Sequence, residues 1–289
     1  MTVLEVIQRS TDFLAKKGVE SPRLQVELML AAALGMPRLK LYLNFEQELA
    51  EAQLELVREQ VRRRGNREPL QHILGSVSFC GREIKVNRHV LVPRPETELL
   101  AERGWEFLKA RIAAGIATPR AIDLGSGSGC IAIALALECP ATEIHAVDVS
   151  PEALAMAREN AELNGCADRL QFHLGDAFGA CPAPGKFDLM ITNPPYIADA
   201  EVATLEPEVR DHDPRLALAG GTDGLDFYRK LAANAGTLLR PDGCLLCEFG
   251  DGQAEQIRAV FVEHKWVVAS VEPDYTGRQR IMAARYPSN

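Results

Sequence analysis

The sequence predicts an α/β protein, in which a small helical domain precedes a mostly parallel sheet with helices on both faces. Three observations support this prediction. Apolar residues recur at helical spacing over residues 1–73, and strand-like segments alternate with helix-like segments from residue 93 onward. Between them, residues 74–92 show the alternation that is typical of short strands. Strands that alternate with helices usually form a parallel sheet that is covered on both faces.

Helices account for the predicted N-terminal domain, residues 1–73. Ser21 and Pro22 suit a helix start, because serine offers an N-cap oxygen and proline fits the first helical position. Gly35 fits the position just after the end of that helix. A further helix is expected over residues 50–64, where apolar residues again lie at helical spacing.

A basic cluster lies at the end of this domain. It consists of Arg58, Arg62, Arg63, Arg64 and Arg67. The cluster can be a solvated face that also places positive charge at a helix C-terminus. Alternatively, it can contact a protein or RNA partner, and the sequence leaves both interpretations open.

A connector at residues 74–92 follows, in which Cys80, Gly81 and Arg82 can turn a hairpin. The α/β domain then spans residues 93–289. Its predicted strands are residues 121–124, 143–147, 170–174, 187–192, 244–249, 266–271 and 280–284. Its predicted helices are residues 130–138, 151–164, 225–239 and 254–263. No helix separates the last two strands, so they are expected to form an antiparallel pair at one edge of the sheet.

Composition argues against disulfides, metal sites and membrane insertion. The seven cysteines are scattered, and the one C-x-x-C, Cys244 to Cys247, lies on a strand whose residues i and i+3 face opposite sides. No two histidines have the spacing of metal ligands on one helix face. No apolar run approaches the length of a transmembrane helix, and the N-terminus lacks the features of a signal peptide. We therefore expect a cytoplasmic protein.

The charge is distributed unevenly along the chain. Residues 1–75 carry 11 basic and 10 acidic residues, which leaves 21 of the 32 basic and 30 of the 40 acidic residues for the remainder. The α/β domain is therefore acidic. Because general binding to nucleic acid needs a basic surface, no direct nucleic-acid partner is expected.

A glycine-rich loop is the first motif of a ligand site. The residues Gly125, Ser126, Gly127, Ser128 and Gly129 follow the first predicted strand of the α/β domain and open a helix. Glycines permit a tight turn and a close approach of backbone to a ligand. A dinucleotide-binding loop would need its third glycine at position 130, which is a cysteine. The spacing resembles instead the first motif of S-adenosylmethionine-dependent methyltransferases.

Acidic residues follow the next two strands. Asp148 ends the second strand, at the distance from the loop where a carboxylate binds the hydroxyls of a ribose. Asp176 follows the third strand, and by resemblance to the same enzymes Asp176, Ala177 and Phe178 lie along the adenine ring. Ligands bind at the carboxyl ends of strands in open α/β sheets, which is where these residues are expected.

The sequence Asn193-Pro194-Pro195-Tyr196 follows the fourth strand directly. Prolines have no N–H to give to a sheet, so this segment makes a stiff edge with free carbonyl groups. The side-chain oxygen of Asn193 and the carbonyl of Pro194 can both accept hydrogen bonds from one NH2 group, while Tyr196 covers its flat face. This arrangement suits methylation of a planar amide or amine nitrogen, whose lone pair it directs at the methyl donor.

Together these motifs resemble the HemK/PrmC-type peptide chain release factor glutamine-N5 methyltransferases. Val92-Pro93-Arg94-Pro95-Glu96-Thr97-Glu98 belongs to the resemblance. So do residues 21–24, 69–75, 193–196, 214–218, 220–225 and 274–280. The resemblance covers nearly the whole chain and implies a Rossmann-like class I methyltransferase domain behind a helical substrate-binding domain.

The resemblance implies a function. S-Adenosyl-L-methionine would be the cofactor, held by residues 125–129 and Asp148, with Ala177 beside it and Asn193 touching both ligands. The substrate would be the glutamine in the Gly-Gly-Gln motif of a class 1 release factor. Some relatives carry tryptophan where this chain has Ala177, so Phe178 is the candidate for adenine stacking. Arg94 and Glu96 either act in the site or form an ion pair that braces the domain junction.

Two other functions remain open from the sequence alone. An adenine-N6 methyltransferase that acts on DNA or RNA would share the cofactor motifs and the Asn-Pro-Pro-Tyr sequence, although the acidic domain disfavours it. A non-catalytic protein could keep the fold in order to bind a partner. The intact glycine loop and Asn193 argue against this second alternative.

Overall fold

The computed structural model describes residues 1–180 and 186–287. The chain divides into two compact units. The first comprises Met1–Ser76 together with the distant segment Glu206–His212, and the second comprises Val77–Leu205 and the chain from Asp213 onward. The first unit therefore contains residues that the sequence placed within the α/β domain.

The first unit consists of four helices, a short 3-10 helix (Arg38–Leu43) and the 206–212 segment. The helices are α1 (Val3–Lys16), α2 (Pro22–Ala33), α3 (Glu51–Gly65) and α4 (Leu70–Leu74). Their apolar faces share one core, to which α1 contributes Val3, Ile7 and Leu14. The start of α1 is fixed by a capping box, in which Thr2 and Glu5 each hydrogen-bond to the backbone N–H of the other.

The predicted capping of α2 by a serine side chain is wrong. Ser21 does precede the first helical residue, Pro22, but its φ of 46° is left-handed and its side chain makes no cap hydrogen bond. A serine hydroxyl caps a helix from extended backbone, which Ser21 does not adopt. Gly35 has the left-handed φ of 62° that was expected after the end of the helix.

Each arginine of the basic cluster forms an ion pair with an acidic residue. The exposed Arg58 forms an ion pair with Glu51, and the exposed Arg62 forms one with Glu59. Arg63 forms an ion pair with Glu68. Arg64 and Arg67 bond Glu208 of the 206–212 segment, and the side chain of Arg64 is only 5% exposed. The solvated-face interpretation is thus wrong for Arg64 and Arg67, which hold a distant segment of their own chain.

The second unit begins with the expected hairpin, and a seven-stranded sheet dominates it. The hairpin strands are β1 (Ser76–Phe79) and β2 (Arg82–Lys85), joined through Cys80 and Gly81, which both have positive φ. The strands of the large sheet are β3 (Arg120–Leu124), β4 (Glu143–Asp148), β5 (Leu170–Leu174), β6 (Phe187–Thr192), β7 (Leu239–Glu248), β8 (Val267–Pro273) and β9 (Gln279–Arg285). Their order is β5-β4-β3-β6-β7-β9-β8.

The first five strands of the large sheet are parallel, whereas β9 runs antiparallel to both β7 and β8. The predicted antiparallel pair at one edge is therefore confirmed. In the described residues of the α/β part, the α-helices are α5 (Pro95–Ala113), α6 (Cys130–Glu138), α7 (Pro151–Leu163), α8 (Asp199–Val202), α9 (Pro207–Arg210), α10 (Arg215–Leu218), α11 (Asp226–Asn234) and α12 (Ala254–Glu263). Of these, α9 lies in the 206–212 segment of the first unit.

Two apolar cores cover the two faces of the large sheet. Cys244 belongs to the core that includes Leu100 and Ile131, whereas Cys247 belongs to the core that includes Phe249 and Phe261. The two sulfurs therefore lie on opposite faces, as their spacing on a strand predicted. Among residues 1–180 and 186–287, no helix has the length and apolar character needed to cross a membrane.

Helix α5 is missing from the sequence prediction. It has 19 residues and begins within the 92–98 motif, all of which lies in the second unit. Its start does carry a local signal, because Pro95 occupies the first turn together with Glu96 and Glu98. Its buried residues include Thr97, which lies two residues after the proline.

Candidate active site

A cavity of about 520 Å³ lies at the carboxyl ends of the central parallel strands. Its wall combines the glycine loop after β3 with the residues that follow β4, β5 and β6. Of the residues that the sequence singled out, Gly125, Gly127, Asp148, Asp176, Ala177, Asn193 and Pro195 line it. Four chain segments that are distant in sequence thus meet where the sequence predicted a ligand site.

The remaining predicted residues do not line this cavity. They are Ser126, Ser128, Gly129, Phe178, Pro194 and Tyr196. The first three belong to the loop but face away from the cavity, since Ser126, Ser128 and Gly129 are buried. They shape the loop rather than its open surface.

The three loop glycines are needed for different reasons. Gly125, Gly127 and Gly129 all have left-handed φ, at 71°, 54° and 80°. A Cβ on Gly129 would also lie 3.0 Å from the Cβ of Ala157 on α7, whereas Gly125 and Gly127 have no neighbour within 4 Å of such an atom. Gly129 therefore permits helix packing, and Gly125 and Gly127 leave open space toward the cavity.

Asp148 is held in place by backbone N–H groups. One carboxylate oxygen accepts from Gly127 at 2.8 Å and the other accepts from Ser150 at 2.9 Å. Each oxygen keeps a lone pair for a further donor, because a carboxylate has about four acceptor positions. A partly exposed carboxylate that is fixed at the cavity wall can therefore bind two neighbouring hydroxyl groups of a ligand.

A second carboxyl group, that of Asp123, lies buried just before the loop. Neither of its oxygens, nor the hydroxyl of Ser126, has a hydrogen-bond partner of ordinary geometry among the described residues. Burial raises the pKa of Asp123 to about 7, although the backbone N–H of Ala132 opposes the rise. This carboxyl group is fully buried and does not line the cavity, so it lies behind the loop rather than on the ligand surface.

The aromatic wall of the cavity differs from the predicted one. Ala177 lines the cavity as expected, but Phe178 instead packs against Phe227, with 6.5 Å between the ring centroids. Phe227, on α11, lines the cavity. Phe227 was not predicted as a site residue, because its position depends on how α11 packs on the sheet.

Asn193 is oriented by a chain of hydrogen bonds to a buried acid. Its side-chain NH2 donates to the hydroxyl of Thr97 at 3.1 Å, and that hydroxyl donates to Glu248 at 2.8 Å. Burial raises the pKa of Glu248 to about 7, opposed by the Thr97 hydrogen bond and by the charge of Arg280. Thr97 and Glu248 are functional candidates that the sequence missed, although one acid within the apolar run 244–249 was a visible signal.

The Pro194–Tyr196 segment continues from Asn193. No described residue donates a hydrogen bond to the carbonyl of Pro194. The side chain of Gln253 donates to the carbonyl of Tyr196 at 2.8 Å and fixes the end of the segment. The ring of Tyr196 packs partly buried against the second core, where burial raises its pKa to about 12.

The predicted ion pair of Arg94 exists, but its partner is Asp213 rather than Glu96. The distance between Arg94 Nη2 and Asp213 Oδ2 is 2.9 Å, and the side chain of Asp213 is almost fully buried. Burial raises the pKa of Asp213 to about 6, although the Arg94 guanidinium opposes the rise. Asp213 immediately precedes Pro214, which lines the cavity together with residues from Leu216 to Gly221.

No group of three or more potential metal ligands occurs in the described part of the chain. The wall of the cavity offers carboxylates, an amide group and backbone. These groups can bind a polar ligand beside the glycine loop and can accept hydrogen bonds from a second ligand at Asn193.

Two family profiles match the chain. The profile described as PrmC N-terminal domain matches residues 5–75. The profile described as Methyltransferase small domain matches residues 101–209, which include the glycine loop, Asp148 and Asn193.

Curated relatives are similar along nearly the whole chain. The release factor glutamine methyltransferase of Geobacter sulfurreducens is 41% identical over 284 residues, which cover 98% of this chain and 96% of the relative. The enzyme of the same name from Chlorobaculum tepidum is 44% identical, with 88% and 87% covered. That from Streptomyces coelicolor is 40% identical, with 98% of each chain covered.

Solved structures of lower identity share the fold. The hMettl16 catalytic domain in complex with the MAT2A 3′UTR hairpin 6 is 16% identical, with a TM-score of 0.55 over 80% of this chain and 83% of that one. A methyltransferase from Pyrococcus furiosus is 19% identical, with a TM-score of 0.50 over 73% of this chain and 92% of that one. At such identities the likeness extends to the fold alone.

Proposed function

The chain belongs to the family of release factor glutamine methyltransferases, and on that premise we propose that it methylates a peptide chain release factor. The methyl group comes from S-adenosyl-L-methionine. It goes to the side-chain amide nitrogen, N5, of the glutamine in the Gly-Gly-Gln motif of a class 1 release factor. The observation that carries the proposal is that Asn193 and the glycine loop share one cavity, in a chain whose relatives of this name match it from end to end.

The residues of the cavity fit this methyl donor. Gly125 and Gly127 leave room for close approach, and Asp148 has free lone pairs for the two ribose hydroxyls. Asp123 lies fully buried behind the glycine loop and does not line the cavity, so it is assigned no contact with the donor. Asp176, Ala177 and Phe227 form the wall for the adenine ring. When bound, S-adenosylmethionine supplies an electrophilic methyl group on a sulfonium centre.

The acceptor amide is bound at the Asn193 end of the cavity. The NH2 of Asn193 is engaged by Thr97, so its side-chain oxygen is the atom left to accept from the glutamine NH2. The Pro194 carbonyl is the second acceptor, and Pro195 keeps the segment stiff. Tyr196 supports this wall from its packed position rather than from within the cavity.

These acceptors favour methyl transfer in two ways. They hold both hydrogens of the glutamine NH2, so that its lone pair points toward the methyl donor. They also stabilise the positive charge that develops on this nitrogen, because both are oxygens with partial negative charge. Neither a metal ion nor a covalent intermediate is required for these roles.

The helical domain, residues 1–73, holds the release factor, and residues 74–92 connect it to the methyltransferase domain at residues 93–289. Direct contact with nucleic acid is not part of the proposal, because the α/β part is acidic. Release factors act in translation, which places the activity in the cytoplasm. The adenine-N6 alternative is not favoured, since the relatives that match end to end are named for release factors.

The test is a reaction with labelled S-adenosylmethionine, purified class 1 release factor and, separately, DNA and RNA. Mass spectrometry of the tryptic peptide that contains Gly-Gly-Gln is expected to show one added methyl group on the glutamine. Asn193→Ala is the matched control and should leave the peptide unmodified. Label in nucleic acid, with none in the release factor, would support the adenine-N6 alternative instead.

A further inference from the structure

The direction in which the Asn193 amide faces decides whether it can take part in the proposed reaction. An asparagine side chain carries an oxygen that accepts and an NH2 that only donates. The acceptor role needs the oxygen toward the substrate NH2, because a donor there would repel it. Something in the protein must therefore hold the amide against rotation by 180°.

We infer that Thr97 and Glu248 are positioning residues that fix the Asn193 amide with its oxygen toward the substrate. The inference rests on the proposed function and extends it to a specific chain of hydrogen bonds. Thr97 on α5, Asn193 after β6 and Glu248 at the end of β7 meet only in the folded protein. Thr97 and Glu248 do not line the cavity, so they act through Asn193.

Counting protons gives the direction of each hydrogen bond from Asn193 through Thr97 to Glu248. The Thr97 hydroxyl has one hydrogen, which it gives to Glu248 Oε2, so its oxygen can only accept from the Asn193 NH2. The arrangement requires that Glu248 accept, as an ionised carboxylate does. A protonated Glu248 can donate to Thr97 instead, and Thr97 then donates to the Asn193 oxygen and turns the amide around.

The surroundings of Glu248 leave its ionisation responsive to pH. Burial and the charge of Glu96 oppose the carboxylate, whereas the hydrogen bond from Thr97, the charge of Arg280 and a hydrogen bond from Asn193 favour it. The other titratable groups whose charges interact with it are Tyr196, Tyr228 and Cys247, which are neutral near pH 7. Because burial raises its pKa to about 7, Glu248 changes charge near neutral pH.

A buried carboxyl group is a costly way to fill space in a strand. Glu248 is 2% exposed and lies between the buried residues Cys247 and Phe249. Helix α5 packs against β7. Its backbone carbonyl is bound by the Tyr228 hydroxyl at 2.7 Å, which fixes the strand end from which the side chain extends. The acid is therefore held at one position and aimed at Thr97.

The first test compares Thr97→Val with Thr97→Ser. Valine keeps the shape and removes the hydroxyl, so kcat should fall about 10- to 100-fold while KM for the release factor changes little. Serine keeps the hydroxyl and should restore most of the lost kcat. Equal kcat for the valine variant and the wild type would overturn the inference.

The second test follows pH. Wild-type kcat should rise through a pKa near 7 as Glu248 ionises, and Glu248→Gln should lack this rise. In the protein without substrate, the side-chain NH2 signals of Asn193, assigned by their loss in Asn193→Ala, should shift with the same midpoint in NMR spectra. Signals that do not shift, or that shift equally in Glu248→Gln, would refute the inference.

The two readouts separate the inference from the proposed function. If the wild type does not methylate release factor, the proposed function fails, but the NMR titration still reports whether Glu248 controls the Asn193 amide. If the wild type is active and the NMR titration is flat, the positioning role fails alone. If Thr97→Val does not fold, the wild-type titration decides.

Discussion

The carboxylate of Asp148 accepts a hydrogen bond from the backbone N–H of Gly127 at 2.8 Å, which joins the end of one strand to the turn after its neighbour. The bond links the two motifs that define the cofactor end of the cavity. Gly127 has a left-handed φ of 54°, a conformation that favours glycine. This backbone conformation points the N–H of Gly127 at Asp148, and the missing side chain leaves the space beside it open. Asp148 therefore stabilises the loop as well as binding a ligand.

We predict that Asp148→Ala weakens binding of S-adenosylmethionine by about 1.5–3 kcal/mol, the usual loss for hydrogen bonds to a charged group. Titration calorimetry measures the affinity. Asp168→Ala, which removes an exposed acid from a surface turn, is the matched control and should bind like the wild type. Unchanged affinity in Asp148→Ala would contradict the ribose assignment.

Gly129→Ala should destabilise the second unit more than Gly115→Ala does. Both glycines have positive φ, so each substitution carries a backbone cost of about 1–2 kcal/mol. A Cβ at Gly115 meets nothing within 4 Å, whereas one at Gly129 lies 3.0 Å from Ala157. This overpacking should add about 1–3 kcal/mol to the loss of unfolding free energy, measured in denaturant. Equal losses would show that α7 moves aside freely.

Several parts of the fold and site follow from the sequence because their signals are local. Strands β5 and β6 and helices α6 and α12 have the bounds that were predicted. The loop glycines, Asp148 and Asn193 each occupy a strand end, and the parallel order of the strands brings those ends together. Knowledge of the strand positions was therefore enough to predict that Gly125, Gly127, Asp148 and Asn193 lie around one cavity.

Other contacts depend on packing between distant segments and leave no local trace. Thr97 and Glu248 are separated by 151 positions, and Arg64 and Glu208 by 144. The run of positive charges in the sequence did not distinguish the exposed arginines of the basic cluster from the buried Arg64. The conformation of Ser21 was missed for a different reason, since serine only seldom adopts the left-handed region.

Glu208 should contribute stability to the first unit in a pH-dependent manner. Burial raises its pKa, but the hydrogen bonds from Arg67 and Arg64 outweigh burial and hold the pKa at about 2, below the ordinary 4.5. A lowered folded-state pKa gives stability that is present above pH 4.5 and is lost as the pH falls toward 2. Glu208→Gln should therefore lower the stability by about 2–3 kcal/mol at pH 7 and by much less near pH 2.

Hydrogen exchange at the amides of α3 measures this effect, because α3 carries Arg64. Glu206→Gln is the matched control, since Glu206 bonds only Arg67 and its side chain is 78% exposed. Surface pairs of this kind contribute about 0–1 kcal/mol. An equal effect of the two variants at pH 7 would remove the special role of Glu208.

Asn193→Ala should abolish most methyl transfer while cofactor affinity stays close to that of the wild type. The substitution removes the side-chain acceptor for the glutamine NH2, and loss of one preorganised transition-state hydrogen bond lowers turnover by about 10²–10³. Asn193→Asp should also be poor, because it loses the donor to Thr97 and sets two carboxylates, its own and that of Glu248, on one hydroxyl. Single-turnover kinetics at saturating cofactor measure the chemical step.

The matched control is Asn234→Ala, whose exposed side chain bonds only the backbone of its own helix, so full turnover is expected. The pattern between variants is as informative as the size of the loss. If Asn193 acts through its oxygen, Asn193→Ala and Thr97→Val should both lower the single-turnover rate. The loss should be larger in Asn193→Ala, because valine at position 97 leaves the oxygen present and the hydrogen bond of Asn193 to Glu248 in place. An Asn193→Ala variant within threefold of the wild type would show that Asn193 only shapes the loop, and the acceptor role would then pass to the Pro194 carbonyl.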